Sequence, residues 1–317
     1  MTDCSDVVGR FAPTPSGKLH LGNAFSFLIA YLVVKQQGGI MRMRVEDIDT
    51  ARCKTSFIDG MFRDFEWLGF DWEGPAVYQS KRTDAYEEAF QELSSKELVY
   101  PCFCSRADLH AASAPHQGEE IIYPGTCRNL SLDEQRKRFE TKDPSYRIKV
   151  PSTLFSFEDL FQRHCEFNLS TMSGDFVIRR SDGVFAYQLA VVVDDAYMGV
   201  NSVVRGVDLL TSVPRQQFIQ ECLGLPSVTY GHVPLILDEQ GRRLAKRSGD
   251  ISIEFFRTKR GITSKDFWGK LAYSCGIVQD NQPYSLDELV KCADISNLIG
   301  ASSIQLHPYN EGACCEC

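Results

Sequence analysis

Three short stretches of this 317-residue chain carry residues whose types and spacing suit chemistry. The first runs from Pro13-Thr14-Pro15-Ser16-Gly17 through Lys18-Leu19-His20-Leu21-Gly22-Asn23 into an apolar segment. A helix starting there presents unpaired backbone N–H groups and the positive end of its dipole, which suit a phosphate. Glycine allows close approach, and the imidazole or amide can donate to a phosphate oxygen. The second is Gly241-Arg242-Arg243-Leu244-Ala245-Lys246-Arg247-Ser248-Gly249, with four cations in six positions of a glycine-bounded loop. Such a loop can neutralise the charge that builds on a polyphosphate as one of its bonds breaks. The third is Cys102-Phe103-Cys104 with Tyr123 and Cys127. Three thiols are three soft ligands and a structural zinc takes four, so His110, His116 and Tyr123 are candidates for the fourth. Each stretch alone also fits a plainer role: a Pro/Gly turn, a solvated basic loop, three free thiols.

Regular elements must position these groups. Residues 7–12 read as a short strand ending in the proline loop, and 23–34 as a buried helix stopped at Gly38-Gly39. Met41, Met43 and Val45 alternate with Arg42 and Arg44 at strand period. Phe57, Ile58, Met61, Phe62, Phe65 and Leu68 recur at helical spacing, and 83–98 fits another helix. This alternation predicts an α/β fold with a parallel sheet flanked by helices. The rhythm breaks between residues 100 and 151, which read as an insertion. It resumes with 176–178, the apolar run 185–193, and Val203-Val204 before Arg205-Gly206. Residues 212–223 read as a helix and 233–237 as the last buried strand; from Ile251 the pattern is helical and more polar, and it fades after Gly300.

Composition bounds the class. With 43% hydrophobic and 24% charged residues the chain can bury a sizeable core, which excludes disorder, collagen and small disulfide scaffolds. The length suits two domains, or one large α/β domain with an insertion. Thirty-four basic against 42 acidic residues give −8, which argues against holding nucleic acid by overall charge. The charge is uneven, however. Residues 241–260 carry net +5 and residues 127–150 net +3, so the remainder carries −16, as a local phosphate-backbone footprint would require. Met1-Thr2-Asp3 opens no secretory signal, and the longest apolar stretch, 24–34, is about half of what a bilayer needs. A cytoplasmic, reducing setting is expected, in which the 12 cysteines favour metal or free thiols over disulfides. Cys53, Cys165, Cys222, Cys275 and Cys292 are expected as ordinary buried small residues.

Together the motifs resemble one family. Arg10-Phe11-Ala12-Pro13-Thr14-Pro15-Ser16-Gly17, then Leu19-His20-Leu21-Gly22-Asn23, is similar to the first signature of class I glutamyl-tRNA synthetases. Arg243-Leu244-Ala245-Lys246-Arg247 resembles their second. Between them Arg44-Val45-Glu46-Asp47-Ile48-Asp49, Tyr78-Gln79-Ser80-Lys81-Arg82, Phe185-Ala186-Tyr187-Gln188 and Val193-Asp194-Asp195 match in order. Within that family the chain looks most like the shortened paralogues that glutamylate the queuosine base of tRNA(Asp). Only 70 residues follow Arg247, too few for a full anticodon-binding region. Cys102, Cys104, Tyr123 and Cys127 resemble the zinc site of those paralogues. Val204-Arg205-Gly206-Val207-Asp208-Leu209 is closer to them than to the Arg-Gly-Glu-Asp-His form of charging enzymes.

The resemblance implies a class I synthetase Rossmann-like parallel sheet flanked by helices, with a zinc-containing insertion and a short helical C-terminal subdomain. The implied division is 1–99 and 175–250 for the two halves of the catalytic domain, 100–174 for the insertion and 251–317 for the helical end. It implies a glutamate pocket lined by Arg10, Phe11, Ala12, Pro13, Thr14, Glu46, Tyr187 and Arg205. Arg205 suits the side-chain carboxylate, because its planar fork gives two charge-assisted hydrogen bonds that glutamine does not reciprocate equally. Glu46 would take the α-ammonium group and Tyr187 would add a directional hydrogen bond. His20 and Asn23 would meet ATP phosphates, with Lys246 and Arg243 on the β- and γ-phosphates. Zn²⁺ would sit on Cys102, Cys104, Tyr123 and Cys127. The implied reaction activates L-glutamate with ATP and Mg²⁺ without tRNA, giving glutamyl-adenylate, which a queuosine hydroxyl then attacks. Expected partners are L-glutamate, ATP and queuosine-containing tRNA(Asp), with no membrane, in a cytoplasmic monomer.

Arg243 stands where the family pattern starts with Lys, and Ala245 where Ser is common, so charge is kept and one hydroxyl is lost. Two other readings stand beside this one: a truncated glutamyl-tRNA synthetase charging tRNA(Glu), and a non-catalytic RNA-binding or glutamate-sensing module on an inherited fold. The end, Cys314-Cys315-Glu316-Cys317, formally resembles a prenylation motif, but Glu316 is not aliphatic, and it reads as a frayed tail.

Overall fold

The computed structural model describes residues 7–105, 107–109, 122–237, 241, 252–258 and 261–305. β1 (Val8–Phe11) leads through the proline loop into α1 (Leu21–Lys35), and β2 (Ile40–Val45) returns parallel to β1, with Val8 opposite Ile40 and Phe11 opposite Met43. Ten of the 15 residues of α1 are buried, so it lies within the core and not as an amphipathic cover. The turn into β2 needs glycine: a Cβ on Gly39 would fall 2.2 Å from the Val7 carbonyl oxygen. α2 (Thr55–Leu68) buries Met61, Phe65 and Leu68 and ends at Gly69, whose φ of 81° suits glycine alone. β3 (Val77–Tyr78) adds a parallel neighbour to β2. α3 (Thr83–Ser95) stops three residues short of the expected end, because Glu97 takes a φ of 58° and turns the chain into β4 (Val99–Cys102).

Past the cysteines, α4 (Leu132–Phe139) precedes β5 (Ser145–Ile148), which pairs antiparallel with both β4 and β8 (Phe176–Arg179). Before β8, β6 (Leu154–Asp159) and β7 (Arg163–Asn168) form a hairpin, followed by the short α5 (Leu169–Met172). The second parallel unit is α6 (Tyr187–Tyr197), β9 (Ser202–Gly206), α7 (Val213–Leu223) and β10 (Thr229–Val233), with Ser202 opposite Thr229 and Gly206 opposite Val233. The hairpin does not stay with the cysteines, since β6 joins the edge of β10 at Asp159 and Tyr230.

The two parallel units meet along β1 and β9. The Asn201 N–H donates to the Val8 carbonyl at 3.0 Å, and the Arg10 guanidinium to the Val204 carbonyl at 2.9 Å. The parallel strands therefore run β3-β2-β1-β9-β10, and the winding reverses between β1 and β9. In open α/β sheets a ligand crevice forms at that reversal, beyond the carboxyl ends of the strands.

Two expectations need correction. The strand foreseen over 233–237 divides at Pro234, which has no N–H to offer a ladder: β10 ends at Val233, and β11 (Leu235–Leu237) pairs in parallel with β12 (Ser303–Gln305). The pattern that fades after Gly300 thus hides a strand. Cys292 is exposed, and among the other lone cysteines only Cys275 is fully buried. The C-terminal helices α8 (Ile253–Thr258), α9 (Ser264–Ser274) and α10 (Leu286–Cys292) share the core of α1 and α2. Trp268 of α9 is buried there, its indole N–H donating to the Leu68 carbonyl at 2.8 Å. Among the described residues no helix is long and apolar enough to cross a membrane.

Candidate active site

Where β1 and β9 diverge, a cavity of about 450 Å³ opens at their carboxyl ends. Arg10, Ala12, Pro13, Thr14, Glu46, Tyr187 and Arg205 line it, as do His20 and Asn23. Phe11 is the exception among the expected pocket residues. Strand alternation turns its side chain to the other face, where it is fully buried against Phe27, Tyr31, Phe65 and Phe70.

Two buried arginines, Arg10 and Arg205, line this crevice, and a third, Arg44, shares Asp195 with Arg10. Arg44 on β2 donates from Nη1 to Asp195 at 2.5 Å and from Nη2 to Glu46 at 3.1 Å. Arg10 on β1 brings Nε to 3.8 Å from the same Asp195 oxygen. Burial pushes both guanidinium groups down. In Arg44 the charges of Asp195 and Glu46 more than restore the cation, whereas in Arg10 the gain from Asp195 is offset by Arg44 and Arg205, and the value stays low. Glu46 is held from its other side by the Thr14 hydroxyl, which donates to it at 3.2 Å.

Arg205, 6% exposed, differs from both: among the described residues it has no carboxylate partner. Its Nε donates to His232 Nε2 at 3.0 Å, Nη2 to the Leu209 carbonyl at 3.2 Å and Nη1 to the Tyr187 hydroxyl at 3.4 Å. A buried cation without a counter-ion is costly, and an incoming carboxylate relieves that cost.

The first turn of α1 faces the same cavity. The Asn23 N–H donates to His20 Nδ1 at 3.3 Å, and the His20 N–H donates to Asn23 Oδ1 at 3.2 Å, a reciprocal cap. Because Nδ1 accepts, a neutral His20 ring carries its proton on Nε2. No acidic residue occupies the first turn, so the positive helix end is not neutralised from within. Arg243 and Lys246 lie outside the described residues. The chain approaches them from β11, whose Leu235 and Ile236 line the cavity, and returns at Ser252, bridged to His20; the Ile253 N–H donates to the Leu19 carbonyl at 2.9 Å.

The cysteine cluster is a separate site. The sulfurs of Cys102, Cys104 and Cys127 lie within 4.8 Å of one another, and Cys104 and Cys127 are 3.7 Å apart. With zinc–sulfur bonds near 2.3 Å, a tetrahedral edge is about 3.8 Å. The Tyr123 oxygen is 3.4 Å from the Cys102 sulfur and accepts the Cys127 N–H at 2.8 Å, so the phenol belongs to the group. His110 and His116 lie outside the described residues. Arg147, to which sequence reasoning assigned no role here, donates from Nε to the Cys102 sulfur at 3.2 Å and stacks on the Tyr123 ring at 3.8 Å. Burial raises the Cys102 thiol, but hydrogen bonds and the Arg147 charge bring it below the ordinary range; burial and the neighbouring thiols push Cys104 up to about 12. Three sulfurs and a phenol oxygen at these separations fit a tetrahedral zinc.

Asp159, Asp195 and His232 were not singled out for the pocket by sequence reasoning, nor was Arg44. Asp194 and Asp195 lay within a recognised motif, and the structure divides their work. Asp195 faces the arginines, while Asp194 accepts from Gln79 at 2.9 Å, Arg82 at 2.6 Å and Tyr86 at 2.8 Å.

The family described as tRNA synthetases class I (E and Q), catalytic domain, matches residues 6–263. Over 304 residues the chain is 45% identical to the glutamyl-Q tRNA(Asp) synthetase of Symbiobacterium thermophilum, covering 92% of this chain and 94% of that one. It is 44% identical over 288 residues to the enzyme of the same name from Nitratidesulfovibrio vulgaris, covering 87% and 89%. Its fold is similar to the crystal structure of glutamate-tRNA synthetase from Elizabethkingia anophelis, with a TM-score of 0.82 at 24% identity, covering 96% of this chain and 68% of that one.

Proposed function

Since the chain belongs to the catalytic-domain family of class I tRNA synthetases for Glu and Gln, we propose that it activates L-glutamate with ATP and transfers it to the queuosine base of tRNA(Asp). The observation that carries the amino-acid half of this reading is Arg205, a buried cation at the cavity with no carboxylate of its own among the described residues. Its planar fork takes the substrate side-chain carboxylate, Glu46 the α-ammonium group, and Tyr187 a further hydrogen bond, with Arg10 and residues 12–14 shaping the wall.

The glutamate α-carboxylate oxygen then attacks the α-phosphorus of ATP. The bond from the α-phosphorus to the oxygen bridging the β-phosphate breaks, and pyrophosphate leaves; a bound Mg²⁺ would supply counter-charge to it. His20 and Asn23 at the start of α1, with Arg243 and Lys246, offset the charge on the phosphates. In the second step a hydroxyl of the queuosine ring attacks the adenylate carbonyl carbon and AMP leaves. No protein nucleophile takes part, so positioning and charge neutralisation supply the catalysis. Cys102, Cys104, Tyr123 and Cys127 would hold one structural Zn²⁺ in the insertion over 100–174, with 251–317 as a helical end on the catalytic halves 1–99 and 175–250. The enzyme works as a cytoplasmic monomer.

The test is glutamate-dependent ATP–pyrophosphate exchange without tRNA, followed by labelled glutamate offered to tRNA(Asp) with and without queuosine, and to tRNA(Glu). Exchange without tRNA and label on queuosine-containing tRNA(Asp) alone are expected. Label on tRNA(Glu) would make the chain a charging enzyme, and absence of exchange would leave a binding module.

A further inference from the structure

We infer that His232 and Asp159 form a positioning pair that orients Arg205 and neutralises it at a distance, leaving its fork for the substrate. The inference rests on the reading that Arg205 takes the glutamate side-chain carboxylate. His232 and Arg205 are register partners on the adjacent parallel strands β10 and β9, so their side chains project to the same face of the sheet. The β6–β7 hairpin, joined to β10 at its edge, delivers Asp159 behind the imidazole.

Hydrogen bonding fixes the roles of the atoms. Asp159 Oδ1 accepts three backbone N–H groups, from Phe161 at 3.0 Å, Gln162 at 2.9 Å and His232 at 2.9 Å. Its Oδ2 lies 2.5 Å from His232 Nδ1. Burial alone would raise this carboxyl, but the bonds from His232 and the backbone hold it below the usual range, so it is ionised and accepts. His232 Nδ1 therefore carries the proton and Nε2 presents a lone pair. Arg205 requires the same assignment, since a guanidinium Nε–H only donates. The imidazole is fully buried, and desolvation with the charges of Arg205 and Arg10 favours its neutral form.

This arrangement solves a conflict. A carboxylate placed directly on Arg205 would occupy the bidentate fork and compete with the substrate. An imidazole interposed between Asp159 and Arg205 uses only the Nε–H and fixes the plane of the guanidinium, while the aspartate charge still offsets the cation.

Asp159→Asn tests the idea sharply. The three backbone donors demand the amide oxygen at Oδ1, so the amide NH₂ faces His232. The imidazole must then accept at Nδ1, and its proton moves to Nε2, donor against donor with Arg205. The glutamate KM in pyrophosphate exchange is expected to rise at least about tenfold, with kcat and the ATP KM changed less than about twofold. His232→Leu should behave alike. His232→Gln, whose amide oxygen can accept from Arg205, should recover a glutamate KM within about threefold of the wild type. Circular dichroism and thermal melting identify folded variants, and if Asp159→Asn does not fold, the contrast between Gln and Leu at position 232 decides. A folded Asp159→Asn or His232→Leu with wild-type glutamate KM would overturn the inference, as would an equal shift in the ATP KM. Wild-type protein without glutamate-dependent exchange, or Arg205→Gln with unchanged glutamate KM, would instead overturn the underlying reading of Arg205.

Discussion

Arg10 and Arg44 share one carboxylate, Asp195, whereas Arg205 faces the cavity with, among the described residues, neutral acceptors as its hydrogen-bond partners. The two situations respond differently to the loss of a charge. Asp195→Asn leaves buried Arg10 without a carboxylate among the described residues and Arg44 with Glu46 alone, and breaking a buried pair from one side costs about 3–5 kcal/mol. Arg205→Met removes a cation that has no carboxylate to strand among the described residues, so it costs less, the principal loss being the acceptor groups left at His232 and Leu209. Denaturant melts should therefore rank Asp195→Asn well below Arg205→Met. Added glutamate should raise the melting temperature of wild-type protein but not of Arg205→Met. Equal destabilisation by the two variants, or a glutamate-induced shift retained in Arg205→Met, would contradict this account of which arginine is reserved for substrate.

At the scale of elements, α2 and α8 meet through Asp64 and Arg257, 3.4 Å apart. Burial raises the Asp64 carboxyl to about 6 despite the opposing arginine. A raised acid binds its proton more tightly in the folded chain, so its stabilising contribution is complete below the ordinary carboxylate value near 4 and is lost as pH climbs through about 6. Asp64→Asn removes the penalty: the variant should gain up to about 3 kcal/mol at pH 7 and almost nothing at pH 4. Denaturant melts at the two pH values check this, and a gain of the same size at both would rule out the titration as its cause. The elements themselves were legible to different degrees. The helix α1 and the strand β1 could be read because their apolar runs and glycine stops are local signals. β12 could not, because two exposed residues flanking the half-buried Ile304 form a strand only where β11 waits for them. Alternation on β2 placed Arg44 opposite the methionines, which suggests solvent, yet a parallel sheet is covered on both faces and the guanidinium is wholly buried on Asp195, 151 residues away. The residues that touch the cavity were readable from the loop motifs. Those that steady them, Asp159, Asp195 and His232, depend on pairings at long sequence separation that local spacing does not encode.

Across the whole molecule, charge and core are partitioned in ways that composition concealed. Of the seven cations in residues 127–150, six are engaged within the protein: Arg128 with Asp175, Arg136 with Asp133, Arg138 with Cys127, Lys142 with Phe103, Arg147 with Cys102 and Asp175, and Lys149 with Glu97. That stretch holds the cysteine lobe together more than it offers a phosphate footprint, which shifts the weight of the charge argument to residues 241–260. Tyr100, Cys102, Phe103, Tyr123 and Cys127 form a small cluster apart from the core that joins α1, α2 and the C-terminal helices. A cluster of that size cannot supply much stability by burial, so a bound zinc would hold the lobe. None of its residues lines the cavity. Preparing the protein without chelator should show about one zinc per chain, and removing it should add a separate, lower-temperature calorimetric transition while glutamate-dependent pyrophosphate exchange stays within about twofold of the untreated enzyme at temperatures below that transition. Cys104→Ser should reproduce both results. Absence of zinc, or a single unchanged transition after chelation, would remove the metal from its holding role; exchange that disappeared in step with zinc release would instead place the cysteine lobe inside the activation machinery, against a geometry in which β1, α1, α6 and β9 line the cavity without it.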